Sequence, residues 1–89
     1  MALELSTTKE NFSKLITTLG ENLAGRVWYI GDYGKTRWLY WEDSGGDLIS
    51  ACLAIFQDRP FLAVWKGQDV QERFLDWELA RDVGVVREA

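Results

Sequence analysis

Residues 48–56 read LISACLAIF, and within this run only Ser50 is not apolar. Three further apolar segments lie close to it in the chain: residues 27–30 read VWYI, residues 38–41 read WLYW and residues 61–65 read FLAVW. A strand with one solvated face alternates apolar and polar residues, because successive side chains point to opposite faces. These four segments do not alternate. We therefore predict four strands whose sheet needs cover on both faces.

The connections between these segments are short and rich in turn residues. Residues 31–34 read GDYG, residues 43–46 read DSGG and residues 57–60 read QDRP, with the only proline of the chain at the end of the last turn. Parallel neighbours need crossover connections of about a dozen residues or more. Three short turns in succession therefore predict an antiparallel meander.

The residues before the first strand predict a helix. Thr7-Thr8-Lys9-Glu10 has the capping-box pattern, with Thr7 as the N-cap and Glu10 at the third helical position. The apolar residues that follow have helical spacing and form one stripe: Phe12, Leu15, Ile16 and Leu19. Gly20 is placed to end this helix.

A second helix is predicted after the last strand, from Asp69 to about Asp82, with a stop near Gly84. Asp69 and Glu72 have capping-box spacing. The helix carries apolar residues on two sides, Val70, Phe74 and Trp77 on one and Leu75, Leu79 and Val83 on the other. The predicted fold is a single α+β domain over residues 1–89, a four-stranded antiparallel meander sheet with N-terminal and C-terminal helices in the order α-β-β-β-β-α.

Alternation along the third and fourth strands sorts their residues into two faces. One face is uniformly aliphatic, and we expect the helices to cover it: Ile49, Ala51, Leu53, Ile55, Leu62 and Val64. The other face has a floor of small residues and large rings beside them: Ser50, Cys52, Ala54 and Ala63, with Phe56, Phe61 and Trp65. Large rings beside small residues predict a shallow groove.

The contribution of the first two strands to the small-floored face depends on the turn at residues 43–46. A slip of one residue exchanges the faces of a strand. The alternatives are two sets of rings, Trp28 with Trp41, or Tyr29 with Trp38 and Tyr40. A symmetric four-residue turn favours the first set together with Leu39.

Three hypotheses describe the cover of this second face. A helix covers each face or the twisted sheet curls on itself, a second copy of the chain covers it, or it binds a small apolar molecule with Arg37 or Ser50 as a polar anchor. The candidate interface or ligand residues under these hypotheses are Trp28, Arg37, Trp41, Ser50, Cys52, Ala54, Phe56, Phe61, Trp65, Leu75 and Leu79.

The composition argues against most chemistry. The chain has no histidine, which removes the usual acid–base residue and most transition-metal sites. Its one cysteine, Cys52, lies mid-strand and is interpreted as a buried filler. Asp43 and Asp47 flank a turn without the alternating acidic spacing of a calcium loop. We therefore predict no catalytic residue, no metal and no cofactor.

The net charge and the absence of recognised targeting patterns limit which partners and which cellular setting are expected. The net charge is -4, which opposes a nucleic-acid surface. No signal peptide or membrane span is recognised, so a reduced, cytoplasmic setting is expected. The expected function is a small acidic, non-catalytic interaction or regulatory module, a homodimer that acts through apolar sheet and helix surface. The alternative is a binder of small apolar or aromatic ligands.

Overall fold

The computed structural model describes residues 2–89 and, at Tyr33, the main chain alone. The elements in chain order are β1 (Leu3–Leu5), α1 (Lys9–Thr18), β2 (Val27–Tyr33), β3 (Thr36–Glu42), β4 (Leu48–Phe56), β5 (Arg59–Lys66), β6 (Asp69–Phe74), α2 (Trp77–Val83) and β7 (Val86–Glu88). Strands β2 to β6 form one antiparallel sheet in sequence order, and β1 pairs with β7 in a second sheet. The α+β class and the antiparallel meander are confirmed. The strand number is wrong, because the main sheet has five strands instead of four.

The fifth strand, β6, replaces the first half of the predicted second helix. Lys66 pairs with Asp69 across a two-residue turn in which Gly67 has a φ of 63°. Val70 and Phe74 fit a helical stripe, but with Glu72 between them they also occupy alternate positions on one face of a strand. Pairing with β5 wins because it satisfies main-chain groups that an apolar β5 would otherwise expose.

The α2 helix begins only after this strand. The side chain of Asp76 caps it and accepts a hydrogen bond from the main-chain N–H of Leu79 at 3.4 Å. Gly84, with a φ of 88°, ends it, which confirms the predicted stop. The predicted start at Asp69 is wrong.

The α1 helix is confirmed with a one-residue correction of its cap. The hydroxyl of Thr8 accepts from the N–H of Asn11 at 3.2 Å, and the Asn11 side chain accepts from the N–H of Thr8 at 2.6 Å. Thr7 instead donates its hydroxyl to the carbonyl oxygen of Val85 at 2.9 Å. Thr7 therefore connects the start of α1 to the residue that follows the α2 cap, and Thr8 is the N-cap.

Both helices cover the same face of the main sheet. The buried core joins them to the aliphatic face, which confirms the predicted core face, and consists of Phe12, Leu15, Ile16, Leu39, Trp41, Ile49, Ala51, Leu53, Leu62, Val64, Leu75, Ala80, Val85 and Val86. Neither helix of the described residues has the length and hydrophobicity to cross a membrane. Within residues 2–89, no helix lies on the opposite face of the sheet.

Candidate functional site

The face of the main sheet opposite the helices is called the open face. Strand register assigns to it, from β2 to β6, Trp28, Ile30, Thr36, Trp38, Tyr40, Glu42, Leu48, Ser50, Cys52, Ala54, Phe56, Arg59, Phe61, Ala63, Trp65, Val70, Glu72 and Phe74. The exposed large apolar side chains of the described residues all belong to this set: Trp28, Ile30, Leu48, Phe56 and Val70. Exposed hydrophobic side chains are therefore concentrated on one surface.

A tryptophan stack, formed by Trp38, Tyr40 and Trp65, occupies the middle of the open face. The rings of Trp38 and Tyr40 lie 6.1 Å apart at 14°, and those of Trp38 and Trp65 lie 5.4 Å apart at 22°. Trp38 and Trp65 come from β3 and β5, two strands that flank β4 and stand about 9–10 Å apart. Their rings must lean over Ser50 and Cys52, so part of the predicted groove is filled by the protein's own side chains.

A phenylalanine cluster, formed by Phe56, Phe61 and Phe74, occupies the β5–β6 side. Phe61 and Phe74 meet edge to face at 5.3 Å, and Phe56 lies within 6.2 Å of both rings. The guanidinium of Arg59 lies 3.9 Å from the centre of the Phe74 ring, a cation–π geometry. Between this cluster and the tryptophan stack the floor consists of Ala54 and Ala63.

The predicted set of rings from β2 and β3 is wrong for one member, Trp41. Glu42 pairs with Leu48, so five residues instead of four connect β3 to β4. Because of this difference of one residue, Trp41 and Leu39 point into the core, where both are fully buried. Trp38 and Tyr40 lie on the open face instead. The indole N–H of Trp41 is buried without a hydrogen-bond partner.

A bulge in β2 keeps Trp28 on the open face. Tyr33 pairs with Thr36 but Ile30 pairs with Trp38, so β2 carries one extra residue between them. Gly31 lies in this bulge, and a Cβ there would stand 2.6 Å from Cε2 of Tyr29. The bulge therefore brings Trp28 to the same face as Tyr40, although the sequence prediction separates them.

The eleven predicted site residues do not all meet. Seven lie on the open face: Trp28, Ser50, Cys52, Ala54, Phe56, Phe61 and Trp65. Leu75 is buried, and Leu79 packs against the core from α2. Arg37 lies on the helix side, in a cleft with Leu3, Leu5 and Ile55, and donates to the carbonyl oxygens of Gly34 and Thr36 at 3.0 and 2.8 Å. Arg37 is therefore not an anchor on the open face.

The eleven predicted site residues leave out six large apolar or aromatic side chains of this surface: Ile30, Trp38, Tyr40, Leu48, Val70 and Phe74. Trp38 and Tyr40 belong to the alternative set of rings. The alternation of Val70, Glu72 and Phe74 is the available signal for β6, but the same residues also fit a helical stripe.

The open face carries little reactive chemistry. Burial raises the pKa of the Cys52 thiol above its usual value, which disfavours the nucleophilic thiolate. Within residues 2–89 no group of three Asp, Glu or Cys side chains is placed to hold a metal ion. The charges at the face are mixed: Arg26 lies 5.7 Å from the Trp28 ring and Arg59 lies over Phe74, while Glu42 and Glu72 are the acids.

Comparison with protein-family models, curated protein sequences and solved structures finds no match to this chain.

Proposed function

We propose that this protein is a non-catalytic interaction module that works as a homodimer, and that the open face is the contact between its two copies. The observation that carries the proposal is that Trp28, Ile30, Leu48, Phe56 and Val70, the exposed large apolar side chains of the described residues, all lie on this face. A contiguous exposed apolar surface is typical of an interaction site.

The charges of the open face support a second copy as the partner. Two cations, Arg26 and Arg59, are balanced there by two anions, Glu42 and Glu72. A nucleic acid needs clustered cations, and a strongly basic partner needs an excess of acids. A face with equal numbers of both signs suits a copy of itself, since a two-fold contact brings the same surface to both sides.

The chemistry of the chain supports a non-catalytic role. No histidine is present, and the thiol of Cys52 has a raised pKa. A general base poised near neutral pH or an activated nucleophile is the usual requirement of group-transfer catalysis.

The test introduces charge at the two most exposed apolar residues of the face. Leu48→Asp/Phe56→Asp should weaken self-association by at least about tenfold, because burial of four carboxylates in the dimer is unfavourable. Sedimentation velocity and light scattering over a concentration series measure this change. Thr17→Asp/Asn22→Asp adds the same charge at exposed residues away from the sheet and should leave association unchanged.

Cys52 offers a direct readout of the contact, because it is the only thiol and lies on the open face. Its reaction with a thiol reagent should slow as protein concentration rises, whereas the charged double variant should react at one rate at all concentrations. A wild-type protein with the mass of one chain at high concentration contradicts the proposal.

A small apolar or aromatic ligand is the second candidate, favoured by one observation. Two small side chains of the open face, Ala54 and Ala63, lie between the tryptophan stack and the phenylalanine cluster. Saturable, one-to-one quenching of Trp fluorescence by anilinonaphthalene sulfonate in a monomeric protein would favour this candidate over the dimer. Ala63→Leu should then abolish the quenching.

A further inference from the structure

The outer side of β6 is a free edge of the main sheet. The main-chain N–H of Leu75 donates to the carbonyl oxygen of Pro60 at 2.8 Å, so the main-chain groups of Leu75 point toward β5. Because this direction alternates along a strand, Asp69, Gln71 and Arg73 also direct their main-chain groups at β5. Val70, Glu72 and Phe74 therefore direct theirs away from the sheet. No strand of residues 2–89 lies beyond β6. Unpaired N–H and C=O groups in a row are a template for another strand.

Two opposite charges stand on this edge at equal distances from Gln71. Asp69, Gln71 and Arg73 project on the helix side of the sheet, and all three are exposed. Residues two apart along a strand are separated by about 6.6–6.8 Å, so the two charges lie about 13 Å apart and do not meet. None of the ion pairs found within residues 2–89 includes either of them.

We infer that β6 pairs antiparallel with β6 of a second copy, with Gln71 on the two-fold axis. In this register Asp69 lies opposite Arg73 of the other copy, and the symmetry repeats the ion pair on the other side of the axis. Val70 and Glu72 form the hydrogen-bonded pairs with their outward main-chain groups. Two five-stranded sheets then join edge to edge as one sheet of ten strands.

Charge favours this register over its neighbours. A shift that puts Val70 on the axis leaves Asp69 opposite Gln71, so neither ion pair forms. A shift that puts Glu72 on the axis sets two carboxylates directly opposite each other, and a shift that puts Arg73 there does the same with two guanidinium groups. Like charges directly opposite destabilise an antiparallel pair. Only the register centred on Gln71 pairs both charges with their opposites.

The other edge of the sheet is a poorer template. The bulge between Ile30 and Tyr33 interrupts the ladder of β2, whereas β6 pairs with β5 without a register shift. Pairing of β6 with itself uses up the free edge of both copies, which gives a closed dimer instead of a growing chain.

The β6 contact is separate from the open-face contact of the proposed function. Its side chains Asp69, Gln71 and Arg73 lie on the helix side of the sheet. A protein that uses both contacts assembles into four copies, in which two joined sheets stack on their open faces.

Disulfide trapping tests the register. In a Cys52→Ser background, Gln71→Cys should form a covalent dimer in a glutathione redox buffer, because residues opposite each other at a non-hydrogen-bonded site have Cα atoms about 4.5 Å apart. Arg73→Cys is the matched control. It lies on the same face and is also exposed, but it does not meet itself in this register, so the Arg73→Cys protein should remain monomeric on a non-reducing gel. Trapping at Arg73→Cys in place of Gln71→Cys, or at neither, overturns the inference.

Charge exchange tests the ion pairs. Arg73→Asp should raise the dissociation constant by at least about tenfold, and Asp69→Arg/Arg73→Asp should return it to near the wild-type value. A double variant that associates no better than Arg73→Asp overturns the inference. Circular dichroism checks that each variant is folded.

The two contacts can be separated in one experiment. Leu48→Asp/Phe56→Asp removes the open-face contact and should leave a β6 dimer that Arg73→Asp dissociates. A monomer in the first variant overturns the β6 inference. If the wild-type protein is only a dimer, and Arg73→Asp alone dissociates that dimer, the result contradicts the proposed function and leaves the β6 inference standing.

Discussion

At Trp41, the stabilisation from burying the apolar ring is larger than the cost of burying its unpaired N–H. Its indole N–H is buried without an acceptor, which costs about 1–3 kcal/mol. Burying a ring of about 150–250 Å² contributes roughly 4–6 kcal/mol before the entropy of ordering is subtracted. Because the apolar burial exceeds the cost of the unpaired N–H, the ring stays in the core.

Tyr29 has the opposite arrangement, a partly buried ring with a satisfied polar group. Its hydroxyl donates to the carbonyl oxygen of Thr7 at 2.9 Å, and its ring meets Phe12 edge to face at 6.4 Å. Burial raises the pKa of Tyr29 above its usual value of 10.0, although nearby Arg37 acts in the other direction. The folded state therefore holds the phenol proton more tightly than the unfolded state does.

This raised pKa predicts an alkaline loss of stability. Below pH 10.0 the phenol is neutral in both states, and above it the unfolded chain ionises first, so the free energy of unfolding falls until the pH exceeds the folded pKa. Above about pH 10 the free energy of unfolding of Tyr29→Phe should fall less than that of the wild-type protein, as measured by urea unfolding at about pH 8 and about pH 10.5. An equal fall in both proteins contradicts this assignment.

At the scale of elements, turn length decides which predictions are right. The predicted turn at residues 57–60 would pair Phe56 with Phe61, whereas Phe56 pairs with Arg59 across a turn of two residues. The faces of β4 and β5 are still predicted correctly, because a difference of two residues preserves the faces. The β3–β4 turn differs by one residue, and this exchanges Trp41 for Trp38 and Tyr40. Composition identifies a turn, but it does not specify whether four or five residues form it.

The remaining errors have other physical causes. The Val70 to Phe74 segment is compatible with both a helix and a strand, and only the neighbouring β5 resolves it. Strands β1 and β7 have three residues each, too few for a periodic signal. The bulge at Gly31 depends on the position of the Tyr29 ring, which is a tertiary contact.

The β4–β5 turn can be improved. Gln57 and Asp58 have φ values of 55° and 58°, a left-handed conformation that favours Asn and Gly. Gln57→Asn/Asp58→Gly should raise the free energy of unfolding by about 0.5–1 kcal/mol, measured by chemical denaturation, because relief of left-handed strain, about 1–2 kcal/mol per residue, exceeds the entropy that glycine adds to the unfolded chain. Ser44 lies in another turn and does not have a positive φ, so Ser44→Gly should lower the free energy of unfolding. A lower stability of the double variant would contradict this view of the turn.

At the scale of the whole molecule, a polar clasp holds the two ends of the chain together. The Asn11 amide donates to the carbonyl oxygens of Ser6 and Gly84 at 3.3 and 2.8 Å, and the Ser6 hydroxyl donates to Gly84 at 2.8 Å. These bonds connect the start of α1 with the end of α2.

Removal of this amide should weaken the entire fold. Asn11→Ala leaves the carbonyl of Gly84 with one donor fewer and removes the capping contact of Thr8, so the free energy of unfolding should fall by about 1–3 kcal/mol. Asn22→Ala, at an exposed residue after α1, should change it by less than about 0.5 kcal/mol. Similar values for the two variants in urea titrations would argue against the clasp.

The pairing of β1 with β7 has a consequence for the order of folding. Leu3 lies opposite Glu88, whereas every pair in the main sheet joins strands that are adjacent in sequence. Closing the longer loop loses more chain entropy, so we expect the meander to form first and the ends to meet last. The same contact should open first in the native protein, and the amide hydrogens of β1 and β7 should exchange with solvent well before those of β4 and β5.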